Sequence, residues 1–146
     1  MIAYLIGKLT FKGENKIFVE VKGVGYELLV SAFTLNNLPA LLEEIKILTY
    51  MQVKDDGIVL IGFFTEEEKA MFTNLLQVSS VGPKLALAVL SGLSPALLAC
   101  AIAKEDVKTI SSIKGVGKKT SERIVLELKD KIDKSFAIGE FTHENN

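Results

Sequence analysis

The stretch IKGVGKKTSER, from Ile113 to Arg123, decides how this chain is read. Gly115 and Gly117 flank a single apolar residue, Val116, a pattern suited to a tight turn that needs positive φ and close backbone approach. Lys114 precedes the turn. Lys118 and Lys119 follow it, at the start of a helix predicted to about Lys134 from the three-to-four residue spacing of Ile124, Val125, Leu128 and Ile132. The first amides of such a helix have no intrahelical acceptor and carry the positive end of the macrodipole. A phosphate fits there, with Lys114, Lys118, Lys119 and Arg123 adding charge.

Thirty-five residues earlier the chain carries a second version, SVGPKLALAVL, from Ser80 to Leu90. Ser80, Val81 and Gly82 align with Gly115, Val116 and Gly117, and Lys84 aligns with Lys119. Leu75, Val78 and Val89 match Ile110, Ile113 and Ile124, and Ala86 matches Ser121. Small residues at that last position let the two helices of each hairpin approach closely. The copy departs at Ser80, where the turn favours glycine. One Gly-x-Gly could simply end one helix and begin another. Two aligned copies instead point to a helix-hairpin-helix pair, a module expected to grip the nucleic-acid backbone without reading bases.

Bulk properties narrow the remaining classes. A chain of 146 residues with 49% hydrophobic and 24% charged content suits one or two small globular domains with a true core. MIAYLIGK has no basic leader before its apolar residues, and no run approaches membrane-spanning length, so a cytoplasmic protein without membrane contact is expected. Cys100, inside PALLACAIA, is expected in the core, and the lone His143 lies in a polar tail. Neither supports a metal site or a nucleophile–base pair, and no cofactor is implied. The net charge of −1 is unevenly spread: residues 104–134 hold nine Lys or Arg against six acidic residues, or +3. Positive charge gathers around the second hairpin.

The first sixty residues read as strands. Ile2, Tyr4 and Ile6 alternate along the first, with a turn at Gly13-Glu14-Asn15. Ile17, Val19 and Val21 alternate along the second, Gly23-Val24-Gly25 turns the chain, and Tyr26, Leu28 and Val30 continue it. A short helix is predicted over Phe33 to Leu38, ended by Pro39. A long strand follows from Glu44 to Lys54, then a hairpin turn at Asp55-Asp56-Gly57 and a return strand from Ile58 to Phe63. Five short strands with one helical connection resemble a small closed barrel of the oligonucleotide/oligosaccharide-binding (OB) type. Phe18, Leu29, Leu48 and Tyr50 fall on the outward phase, as a subunit contact or as ordinary surface scatter.

Thr65 is predicted to cap the next helix, with Glu68 completing a capping box. Ser94-Pro95 starts a further helix and Glu105-Asp106 another. The fold class expected is α+β. It comprises a barrel with an acidic hairpin over residues 1–63, an all-α domain with two hairpins over 64–135, and a tail or linker start over 136–146.

GVGYE at 23–27, the Asp55-Asp56 hairpin, IGFF at 61–64, VGPKLALAVLSG at 81–92 and GVGKKTSERIVLELKDK at 115–131 resemble, in this order and spacing, the RuvA family of Holliday junction-binding subunits. The resemblance runs from Met1 to about Lys134. It implies a non-catalytic DNA-binding protein of recombination and repair in the DNA-damage (SOS) response, supporting branch migration by the separate ATPase RuvB, with RuvC as resolvase. It further implies a homotetramer, one or two face to face, that holds a four-way junction open and flat. Carried over by position, Ser79, Ser80, Val81, Gly82 and Lys84 form the first DNA-binding hairpin. Lys114, Gly115, Val116, Gly117, Lys118 and Lys119 form the second, with Arg123 beside it. Asp55 and Asp56 match the family's acidic pin. The family's third domain contacts RuvB beyond a flexible linker. The sequence stops at Asn146, so a form binding junctions without that contact is expected.

Paired hairpins also occur in excision nucleases, ligases and DNA glycosylases. Against those enzymes, the chain has no Walker-type lysine loop, no metal-ligand cluster, and no aspartate after the second hairpin before Asp130. A general duplex-binding adaptor is the remaining alternative. Asp55-Asp56-Gly57 could likewise be a turn and nothing more.

Overall fold

The computed structural model describes the backbone of residues 1–144 and the side chains of residues 1–132, so the His143 side chain lies outside the described residues. Two compact units result, Met1–Ala70 and Met71–Asn146. In the first, alternating apolar residues build strands β1 Tyr4–Lys12, β2 Lys16–Val21, β3 Val24–Leu29, β4 Glu44–Lys54 and β5 Gly57–Phe63. They close into a barrel in the order β1-β2-β3-β5-β4, antiparallel throughout except for β3 with β5. This is the expected OB-type barrel, and closure removes the free sheet edges. Leu9, Ile17, Val19, Leu28 and Ile47 fill its centre and are fully buried.

On β1 the inward phase is not the one expected. Leu5 and Leu9 point in, while Tyr4 and Ile6 are about half exposed. The β1–β4 ladder sets this, because Leu5 lies opposite buried Ile47 and Tyr4 opposite Leu48. Residues directly opposite share a face. Tyr4, Leu5 and Ile6 are all apolar, so alternation by itself could not choose between the two phases. Phe18, Leu29, Leu48 and Tyr50 are partly exposed, as the outward phase requires. Close approach of β1 to β2 needs a glycine: a β-carbon on Gly7 would collide with the Glu20 carbonyl oxygen and sit 2.9 Å from Val21 Cγ2.

Two hairpin turns also differ in detail. Lys22 (φ 49°) and Gly23 (φ 86°) form the β2–β3 turn, one residue earlier than expected, and both lie in the left-handed region. That is the type I′ arrangement whose twist suits the flanking strands. In the β4–β5 hairpin Lys54 pairs with Gly57, so Asp55 and Asp56 are the loop. Neither aspartate has positive φ, which excludes the type I′ turn that Asp-Gly favours; Gly57 alone does, at 146°.

Helix α1, Ala32–Asn37, starts at Ser31, whose Oγ accepts from Thr34 N at 3.2 Å. Helix α2, Glu66–Leu76, starts after Thr65, whose Oγ1 accepts from Glu68 N at 3.1 Å. The capping box is only half formed, because the Glu68 carboxylate turns elsewhere. It accepts from the Ser31 and Thr34 hydroxyls, and Phe64 N donates to it at 3.3 Å. Glu68 is fully buried. Burial pushes its carboxyl above the ordinary glutamate value, while the hydrogen bonds from Ser31, Thr34 and Phe64 act in the opposite direction.

The second unit continues with α3 Pro83–Gly92, α4 Pro95–Ala103, α5 Val107–Ser111 and α6 Lys118–Glu144. Ser94 Oγ caps α4 and Asp106 caps α5. Cys100 is exposed, contrary to the core position expected. In a helix as uniformly apolar as α4 the sequence marks no face; Leu98 and Ile102 turn inward, and Cys100 and Leu97 outward. Helix α6 continues past Lys134, through most of the segment expected as a tail. No single helix is long and apolar enough to cross a membrane among the described residues.

Three substitutions are read by urea denaturation. Gly7→Ala is expected to lower stability by about 2–3 kcal/mol, because a main-chain oxygen cannot move aside as a flexible side chain can. The folded chain holds the Glu68 proton more tightly than the unfolded one, so this residue's contribution is greatest below 4.5 and declines as pH rises from there through the raised folded value. Glu68→Gln, with no proton to lose, should flatten that decline, and Glu68→Ala should cost about 2–4 kcal/mol by leaving two hydroxyls without their acceptor.

Candidate nucleic-acid interface

The two hairpins of the second unit repeat one another bond for bond. Val78 N donates to Leu75 O at 3.1 Å, and Ile113 N to Ile110 O at 3.1 Å. Val81 N then donates to Val78 O at 3.1 Å, and Val116 N to Ile113 O at 3.0 Å. Ala86 N reaches Gly82 O at 2.9 Å, and Ser121 N reaches Gly117 O at 3.0 Å. These are the alignments the sequence repeat proposes, now carried by the backbone. In each copy the apolar turn residue, Val81 or Val116, is buried and pins the loop. Its neighbours Ser79, Ser80, Gly82 and Lys84, and Lys114, Gly115, Gly117 and Lys119, are all exposed. Ala86 and Ser121 are fully buried.

The left-handed residue is the first of each turn. Gly115 has φ 89°, and Ser80 adopts the same conformation at φ 73°. Serine therefore does not change the turn; it accepts a strain of about 1 kcal/mol that glycine would avoid. The second glycine of each turn has another use. Gly82 is extended (φ −100°, ψ −178°) and is the cap residue of α3, with no side-chain cap. Gly117 precedes α6 in the equivalent place. The starts of α1, α2, α4 and α5 are each closed by a Ser, Thr or Asp oxygen. Glycine cannot supply one, so the opening amides of α6, and those of α3 after Pro83, which has no N–H, stay available to an outside acceptor. A β-carbon on Gly82, Gly115 or Gly117 would meet nothing within 4 Å, which leaves open space in front of both helix starts.

Around these amides stand Lys84, Lys114, Lys118 and Lys119, none of them in an ion pair among the described residues. The site can thus hold two anionic groups, one per hairpin, through main-chain amides and unneutralised ammonium groups. Arg123 is less free. Its Nε lies 3.9 Å from Glu127, and its Nη1 donates to Ser80 Oγ at 3.2 Å. That link spans the two hairpins, and no periodicity in the sequence marks it. Lys131 and Gln77 form a similar bond from α6 to the first turn. Asp55 and Asp56 belong to the first unit, both exposed at the tip of the β4–β5 hairpin. Behind them the cross-strand pair Val53 and Ile58 is 70% and 65% exposed. Among the described residues no group of three or more His, Cys, Asp or Glu side chains could hold a metal ion.

Comparison with known proteins covers both units. Residues 1–62 match the family described as RuvA N terminal domain, and residues 72–130 match the SAM-like helix-hairpin-helix tandem. Proteins named Holliday junction branch migration complex subunit RuvA align over most of the chain. That of Acetivibrio thermocellus is 45% identical over 92% of this chain and 66% of its own length. That of Cytophaga hutchinsonii is 48% identical over 92% and 67%, and that of Desulforamulus reducens 47% identical over 97% and 70%. The chain spans about two thirds of the length of these relatives. Barrel, paired hairpins and identity at this level agree: the chain belongs to the RuvA family.

Proposed function

We propose that this protein is a non-catalytic subunit that binds four-way junction DNA through its phosphate backbone and supports branch migration driven by a separate motor. The observation that carries this reading is the pair of hairpins with helix starts that lack a side-chain cap and lysines that have no ion pair among the described residues. Such a site recognises phosphate spacing and charge, and takes no information from base edges. Its relatives' names refer to a Holliday junction and a branch migration complex, and the reading extends that role to this chain.

In this reading the DNA-binding segments are Ser79 to Gly82 with Lys84, and Lys114 to Lys119 with Arg123. Val81 and Val116 act by anchoring the turns. Four copies assemble around a fourfold axis, as one tetramer or two face to face, and hold the junction open and flat. RuvB supplies the ATPase and RuvC the resolvase, in the cytoplasm alongside the DNA. Asp55 and Asp56 of each copy then crowd the crossover, where phosphates also converge. Like charges at short range in a partly desolvated setting repel, so the strands part and pairing can be exchanged. Gel shifts at a stated salt concentration, comparing a four-way junction with linear duplex, test the central claim. Equal affinity for both would favour a general duplex adaptor, and cleavage of labelled junction by the protein alone would favour a nuclease. Molar mass in solution, with and without the junction, tests the tetramer.

Two substitutions separate the parts. Lys118→Ala with Lys119→Ala should weaken binding to all sequences alike and reduce the salt slope by about 2, one unit per lost phosphate contact. Asp55→Asn with Asp56→Asn should tighten junction binding while impairing strand separation, read by gel shift and by the reactivity of unpaired bases at the crossover.

A further inference from the structure

The two hairpins share a backbone but not a charge. Where the second has Lys114 and Lys118, the first has Ser79 and Pro83, so Lys84 alone matches a lysine of its partner. The first turn also carries a residue its geometry disfavours, Ser80 at φ 73°. Among the described residues its hydroxyl bonds to one side chain, Arg123 of the second hairpin.

We infer that Arg123 is the missing cation of the first hairpin, lent to it by the second and held in place by Ser80. This rests on the phosphate-binding reading above and adds a positioning pair to it. Ser80 Oγ accepts from Arg123 Nη1 at 3.2 Å, so the hydroxyl proton is left to point at an incoming phosphate oxygen. Glu127 lies 3.9 Å from Nε one turn along α6, an exposed ion pair without a hydrogen bond. Other guanidinium N–H groups remain for a phosphate, and a planar fork suits that acceptor better than a lysine would. A phosphate at the first turn would therefore meet an arginine carried on α6. With Lys131 bonded to Gln77 at the other end of the same turn, the two hairpins grip as one unit.

The test is a double-mutant cycle on the full chain: native protein, Ser80→Gly, Arg123→Ala and the pair, each titrated with a fluorescent four-way junction at one salt concentration and each melted. Ser80→Gly removes the hydroxyl and the strain together, so it should keep or raise the melting temperature while weakening binding about fivefold. Arg123→Ala should weaken binding about tenfold, and the double variant no further, because the two residues act as one. Native-like binding by Ser80→Gly, or losses that multiply in the double variant, would overturn the bridge. If Lys118→Ala/Lys119→Ala still loses affinity in that case, the bridge alone falls. If the native chain binds no DNA at all, the phosphate-binding reading falls and the bridge with it.

Discussion

The second unit depends on one constraint: a single left-handed residue must reverse the chain between two helices in the space of a short turn. Gly115 meets it without cost and Ser80 meets it under strain. Once the chain has turned, a buried valine holds the loop down and an extended glycine begins the next helix with nothing on its cap. Each consequence forces the next. Because the reversal is tight, the helix start is exposed; because the cap is glycine, its amides stay unpaired; because they are unpaired, the position favours an anion. The preference for an anion comes first from how the backbone turns, with the surrounding lysines adding charge to it.

The first unit solves a different problem. A barrel of five strands encloses a small core, so close fits decide its shape. Gly7 permits the β1–β2 approach, and the buried Glu68 joins the start of α2 to the cap of α1. A buried carboxylate is expensive unless its oxygens are satisfied. Two hydroxyls and a main-chain amide satisfy this one, all from residues that would otherwise be ordinary helix-start chemistry.

Much of this was legible in the sequence. Alternation placed all five strands, and the thirty-five-residue repeat aligned the hairpins residue by residue, because both signals are local and periodic. What escaped depends on neighbours that periodicity does not encode. β1 has apolar residues on both phases, so only its register against β4 shows that Leu5 turns inward. PALLACAIA marks no face, so nothing in it shows that Cys100 turns outward. Glu68 sits at capping-box spacing, yet its carboxylate goes to Ser31 and Thr34, more than thirty residues away. The Ser80–Arg123 bond joins residues 43 apart and leaves no local trace. The odd serine in the turn was visible; its partner was not.

Repetition within the hairpin unit has one more consequence. Main-chain amides and ammonium groups do not distinguish one phosphate from another, so a duplex seated on them would meet nearly the same energy at each base-pair step. A holder of this kind is a smooth bearing: it resists lifting off far more than it resists travel along the axis. Paired bearings on one chain would keep a moving helix aligned while another machine supplies the thrust.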